Sequence, residues 1–174
     1  MDIVIFFSRK RKLFLVTGQI IFVLLGALLF LKPEIVIVIR DEIFIRMAGA
    51  ISLSYFGIMF LFSLKVYFRK VALMIAERGV FDNSNYLSTG FIPWSNIIDI
   101  NQIQDGSVFM IKISLTDSNL VIDKERNFIK KYLLKKQDKR FGSPVIIPMI
   151  GLNSYVDTLE RQLKERWEYF KKSH

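Results

Sequence analysis

Two uncharged stretches decide the architecture of this chain: Leu13–Leu31, LFLVTGQIIFVLLGALLFL, and Met47–Leu64, MAGAISLSYFGIMFLFSL. Basic residues bracket both. Arg9, Lys10, Arg11 and Lys12 precede the first, while Arg46 and Lys65 stand on either side of the second. At about 1.5 Å of rise per residue these runs make helices of roughly 27–29 Å, close to the thickness of a bilayer hydrocarbon core. The first run is longer than the apolar core of a secretory signal, no small-x-small cleavage pattern follows Leu31, and Lys32-Pro33 ends it as a membrane helix ends. The expectation is a transmembrane hairpin over residues 1–66, with spans at about 13–31 and 47–64.

Orientation follows from the basic residues. The connection carries Lys32, Arg40 and Arg46 against four basic residues at 9–12 and three at Lys65, Arg69 and Lys70, so density decides: the four consecutive ones are expected to anchor the N-terminus in the cytoplasm. Residues 67–174 are then cytoplasmic too, so both termini lie inside. The connection Pro33–Ile45 is apolar for an exposed turn. It reads either as an interfacial segment or as a short strand or lip that meets an extracellular partner. Gly18 and Gly26 share a spacing with Gly49 and Gly57, and Ala50 and Ser54 form a small-xxx-small pair. Small faces let helices approach closely in lipid, within one hairpin or between two copies.

The rest of the chain has room for one ordinary domain. Apolar residues make up 52% of the chain and its net charge is +9, with a mean hydropathy of +0.34 that suits partial embedding. Cysteine is absent and the one histidine is the last residue, His174. Neither a Ser-His-Asp nor a Cys-His set can be assembled, and no GxxxxGK[ST], GxGxxG or HExxH motif occurs. Glu77, Asp82, Asp99, Asp105, Asp117 and Asp123 fall at strand ends and turns, without a spacing that predicts a shared proton or a metal. No acidic or basic residue lies inside either apolar run, which argues against an ion path. The expectation is neither an enzyme nor a transporter, with no cofactor and no metal site.

After Lys70 the pattern changes to short strands and turns. Strands are expected at Val71–Ile75, Val80–Asp82, Gly90–Trp94, Asn96–Ile100, 107–115 and Val145–Ile147, with Leu120-Val121-Ile122 pairing back beyond the turn Thr116–Asn119. Asp105-Gly106 is a two-residue hairpin signal. Gly79 and Gly106 are assigned to turns needing positive φ. A final helix starts at Ser154 with a capping-box spacing to Asp157, and its stripe of Val156, Leu159, Leu163, Trp167 and Phe170 suits a helix closing an open end of a sheet. Trp94 is assigned to the core.

The segment 124–140 carries the candidate functional residues. A helix over about Asn127–Asp138 places Phe128, Ile129, Tyr132 and Leu133 on one face, amid Lys124, Arg126, Lys130, Lys131, Lys135, Lys136, Lys139 and Arg140. A basic amphipathic helix near a membrane suits an anionic lipid surface. The other reading is a solvated excursion whose apolar face packs on the sheet. Nucleic acid is a poor partner for a domain tethered beside a membrane.

The runs VALMIAERGVFDNSNYLSTGFIPWSNIIDI (71–100) and GSPVIIPMIGLNSYVDTLERQL (142–163) resemble an uncharacterised bacterial family of two-span membrane proteins with a cytoplasmic pleckstrin-homology-like (PH-like) domain. The matching points are Gly79 with Asp82-Asn83-Ser84, then Gly90-Phe91-Ile92-Pro93-Trp94, then Gly142-Ser143-Pro144. The resemblance implies an α+β membrane protein: a two-helix transmembrane hairpin, then a partly open, bent β-barrel of about seven strands closed by a C-terminal helix. Phosphoinositide-binding members of the wider fold gather basic residues around the first hairpin. Here Glu77-Arg78-Gly79 offers one base beside an acid, a departure that counts against such a headgroup site. The expected role is a bacterial inner-membrane scaffold or binding module engaging anionic lipid or a membrane-associated protein, with self-association left open. The alternative is an immunity protein protecting the cell against a membrane-active toxin or bacteriocin, contacted at segment 35–45.

Overall fold

The computed structural model describes residues 2–36 and 41–173, apart from the side chains of Lys65 and Val66. The chain folds as two compact units, Arg9–Phe68 and a second made of Met1–Ser8 with Arg69–His174.

The first unit is a helical hairpin. Helix α1, Arg9–Leu31, and helix α2, Glu42–Tyr67, both begin ahead of their apolar runs, because no breaker separates the flanking charged residues from them. Pro33 opens a single 3-10 turn, Pro33–Ile35, beyond α1. The Asp41 carboxylate accepts from the backbone N–H groups of Ile43 (3.0 Å) and Phe44 (3.2 Å), capping α2. Residues 37–40 of the expected strand or lip lie outside the described residues. The helices touch backbone to backbone at Gly26 and Gly49. A Cβ on Gly49 would stand 2.7 Å from Phe30 N and 2.8 Å from Gly26 O, and one on Gly26 would stand 2.8 Å from Leu53 N. By contrast, Gly18 and Gly57 have open space around them. Polar bonds reinforce the crossing: Gln19 Nε2 donates to Ser63 Oγ (3.0 Å), which donates to Met59 O (2.9 Å), and Ser52 Oγ donates to Phe22 O (3.3 Å). The rings of Phe22 and Phe56 stack at 4.4 Å. Close backbone packing and hydrogen bonds are the forces that associate helices in lipid. Only 6% of either apolar window is buried, so neither helix is the core of a globular domain.

The second unit holds two antiparallel sheets. The first is ordered β1 (Ile3–Phe6), β2 (Val71–Ile75), β3 (Gly79–Asp82), β4 (Gly90–Pro93); the second is β5 (Ile97–Asp105), β6 (Val108–Leu115), β7 (Val145–Pro148). Strand β1 has no counterpart in the sequence reading, which placed residues 1–8 with the hairpin. It pairs with β2 as Ile3↔Ile75, Val4↔Met74 and Ile5↔Leu73. Its other edge is bonded by the chain after β7, where Ser8 N donates to Gly151 O (2.7 Å), Asn153 N donates to Phe6 O (3.0 Å), and Phe7 bridges Leu152. The sheets therefore adjoin at that corner and at the turn Trp94–Asn96, and among the described residues they form no closed barrel.

Leu73, Ile75, Ile92, Trp94, Ile100, Ile111, Ile113 and Ile147 are fully buried. Trp94 Nε1 donates to Ala76 O (3.1 Å), satisfying the one polar atom its ring brings inside. Helix α5, Val156–Ser173, packs against β5, burying Leu159 and Leu163 and donating from Trp167 Nε1 to Ile97 O (3.1 Å).

Three local expectations are corrected. Leu120-Val121-Ile122 does not pair as a strand; Asn119–Ile122 is one turn of helix, α3, opened by the Asp117 carboxylate accepting from Asn119 N (2.9 Å). Gly79 does not have a positive φ, unlike Gly106 at +59°. It is required instead because β4 passes so close that a Cβ there would overlap the Ile92 carbonyl oxygen. The capping box at α5 does not form, since Ser154 Oγ donates to Tyr155 O and Asp157 accepts from Gln102 Nε2 (2.8 Å).

Candidate functional site

The excursion between β6 and β7 carries helix α4, Phe128–Phe141. Asn127 begins it, with Oδ1 accepting from Lys130 N (3.0 Å). Gly142 ends it at φ +72°, its N–H returning to Asp138 O. Leu134, 1% exposed, is the side chain that α4 buries. Polar bonds hold the same side: Gln137 Nε2 donates to Pro144 O (2.7 Å) and Asp138 Oδ1 accepts from Ser118 Oγ (3.0 Å). With 3.6 residues per turn, Lys130, Leu134, Gln137, Asp138 and Phe141 share this inward arc.

The opposite arc therefore points away from the sheets. Phe128, Ile129 and Tyr132 are 82%, 56% and 60% exposed, and Leu133 lies half-buried at the boundary. Of the two readings of this helix, the one in which the aromatic face packs on the sheet is thereby excluded. Leu134 takes that place because its neighbours Gln137 and Asp138 find partners on the domain, and rotating α4 to bury Phe128 would strand both.

The eight basic residues divide into two groups. Lys130 pairs with Glu125 (2.6 Å), Lys131 with Asp123 (2.9 Å), and Arg140 with Asp105 (2.7 Å). The hydrogen bonds from Lys131 and Lys130 hold the carboxyls of Asp123 and Glu125 below their ordinary values, so both stay ionised at neutral pH. Lys124, Arg126, Lys135, Lys136 and Lys139 are exposed and make no ion pair among the described residues. Of these, Lys135, Lys136 and Lys139 share the outward arc with Phe128 and Tyr132. What α4 presents outward is cationic at its later turns and aromatic at its first.

Elsewhere, polar groups organise the turns of the first sheet. At the β2–β3 turn, Arg78 O accepts from Trp94 N and Ala76 N donates to Gly79 O; the turn carries Arg78 and Glu77 side by side. Asp82 is 2% exposed, and burial pushes its carboxyl above the ordinary range. It accepts from Ser84 N (2.9 Å), Ser88 Oγ (3.4 Å) and Thr89 N (3.4 Å), organising the β3–β4 loop. In sequence Asp82 is the acid at a strand end; the run Asp82-Asn83-Ser84-Asn85 signals side-chain-to-backbone turns, not burial. Among the described residues no three or more His, Cys, Asp or Glu cluster as metal ligands. No family model, no curated protein and no solved structure matches this chain.

Proposed function

We propose that this chain is a bacterial inner-membrane binding module: α1 and α2 span the bilayer, the sheet unit is a PH-like domain at the cytoplasmic leaflet, and the outward face of α4 docks on an acidic surface. The observation that carries the reading is the group of five exposed basic side chains, Lys124, Arg126, Lys135, Lys136 and Lys139, which form no ion pair among the described residues while three neighbours do. Each such charge contributes on the order of 1 kcal/mol near an anionic leaflet, and salt weakens it over a Debye length of about 8 Å.

Two further observations support the reading. β1 precedes the hairpin and β2 follows it, and the two are paired neighbours in one sheet. A hairpin inserted between adjacent strands must return the chain to the side it left, which agrees with two crossings. The basic residues Arg9–Lys12, Arg69 and Lys70 favour the cytoplasm for that side. The order of four strands, three strands and a C-terminal helix is also the one a PH-like domain requires, although fold alone carries no function.

The test uses the full chain in lipid nanodiscs. The protein has no cysteine, so Lys136→Cys gives one attachment point for a bimane fluorophore. Quenching by a headgroup-nitroxide lipid in anionic discs, reduced by salt and by neutral lipid, is the expected result. Absence of quenching in anionic discs at low salt refutes docking of α4 on an anionic lipid surface. Separately, labelling of Ser173→Cys by an impermeant maleimide in intact cells would overturn the orientation.

A further inference from the structure

We infer that the occupant of the α4 face is the bilayer itself, and that Phe128, Ile129 and Tyr132 enter it as an apolar wedge while Lys135, Lys136 and Lys139 stay among the headgroups. The inference rests on the reading of α4 as the docking face and adds the partner's class and the depth of contact.

Phe128, Ile129 and Tyr132 stand largely exposed within the first five residues of the helix. Large apolar side chains grouped in this way mark an interaction surface. Cations ring the group: Lys124 and Arg126 come just before it, and Lys135, Lys136 and Lys139 follow on the same arc. Charge decides among the occupants. A second copy of this chain would set five unpaired cations against five more, so self-docking through this face is repelled. An acidic protein would satisfy the cations but would also need an apolar socket placed among its acids. An anionic leaflet supplies both within a few ångströms, phosphates at the surface and an acyl boundary about 5–10 Å beneath. Two helices of spanning length, joined covalently to the same domain, keep that leaflet within reach.

The wedge is also held ready before contact. Asn127 caps the helix at its first turn. The pairs Lys130–Glu125 and Lys131–Asp123 tie α4 to the segment that leads into it. Little ordering is left for binding to impose, which favours insertion.

The experiment places bimane at Ile129→Cys in one variant and at Lys136→Cys in another, in the full chain in anionic nanodiscs. Each is quenched by nitroxide lipids labelled at the headgroup or high on the acyl chain. The expected result is acyl-chain quenching at 129 and headgroup quenching at 136. In the Ile129→Cys background, Phe128→Ser should shift the docking equilibrium toward release about tenfold, the scale set by exposing one buried aromatic side chain. Trp94 emission, read with Trp167→Phe in the same background, checks that the domain remains folded. Headgroup quenching at 136 without acyl-chain quenching at 129 overturns the wedge and leaves electrostatic docking standing. Quenching at neither position removes the bilayer as the occupant altogether.

Discussion

Replacing Gly79 by alanine should weaken the sheet unit more than any other glycine-to-alanine change in it. A Cβ at position 79 would overlap the Ile92 carbonyl oxygen and stand 2.9 Å from both Pro93 Cα and the tip of the Phe91 ring. Carbon atoms pack best at about 3.5–4.0 Å, so the contact with Pro93 is about 0.6 Å or more too close. Two of the three obstacles are backbone and cannot rotate away; β4 must move off β3, loosening the pairing Gly79↔Pro93 and Val80↔Ile92. Overpacking of this kind costs about 3 kcal/mol, and the lower entropy of an unfolded alanine returns up to about 1. A net loss of about 2 kcal/mol lowers the melting temperature of a domain near 100 residues by roughly 10 °C. Gly142→Ala is the comparison: its φ of +72° disfavours a side chain, but nothing lies within 4 Å, so the loss is about 1 kcal/mol. The assay is thermal unfolding of the full chain in detergent, followed by Trp94 in a Trp167→Phe background. Trp94 suits this because its backbone N–H and its indole bond to Arg78 O and Ala76 O, both within the turn that Gly79 closes. A Gly79→Ala protein that melts with its parent, or above Gly142→Ala, refutes the argument from space.

The same logic applies to the helical hairpin: Gly49→Ala should weaken α1–α2 association by about 1–2 kcal/mol whereas Gly57→Ala leaves it unchanged, read from distance distributions between spin labels on the two helices; equal effects would remove Gly49 from the crossing. The sheet unit should require its first strand. Residues 69–174 alone should be less stable, by about 2 kcal/mol for the loss of Ile5 burial, than the same residues preceded by residues 2–8 and a flexible linker, and equal denaturant midpoints would mean that β1 is dispensable. Because burial raises Asp82 above its ordinary 3.8 in the folded state, its contribution to stability is fully present below 3.8 and is lost as pH rises through the raised value. The fall in stability above pH 3.8 should therefore flatten in Asp82→Asn, and an unchanged slope in denaturant titrations would exclude Asp82 as its source. The ion-paired Asp123 and Glu125 act with the opposite sign, because their contribution is present above 3.8 and 4.5 and is lost as pH falls through their lowered values. Lys130→Gln should bring the Glu125 titration, followed by NMR, back toward its ordinary value, and an unmoved titration would discount that pair.

What the sequence determined by itself was what local composition and short-range chemistry dictate. Length and the absence of charge made α1 and α2 legible. Asp105-Gly106 set the β5–β6 turn because Gly106 adopts positive φ at no steric cost. Asn127 marked the start of α4, although the helix runs on to Phe141 where the pattern had suggested an end near Asp138, and the spacing of Val156, Leu159 and Leu163 picked the buried face of α5. Tertiary structure decided whatever depended on a distant partner. Ile3–Phe6 shows no alternation that would announce a strand; it became β1 because the chain returns 65 residues later to offer β2 as its neighbour. Gly79 resembled a turn glycine until β4 was seen to pass against it. At α4 apolar residues cover much of the circumference, from Phe128 and Ile129 round to Leu134 and Phe141, so periodicity alone could not choose the buried side. Ser118 and Pro144 chose it by bonding Asp138 and Gln137, and in turning Leu134 inward they left the aromatic residues facing out among the lysines.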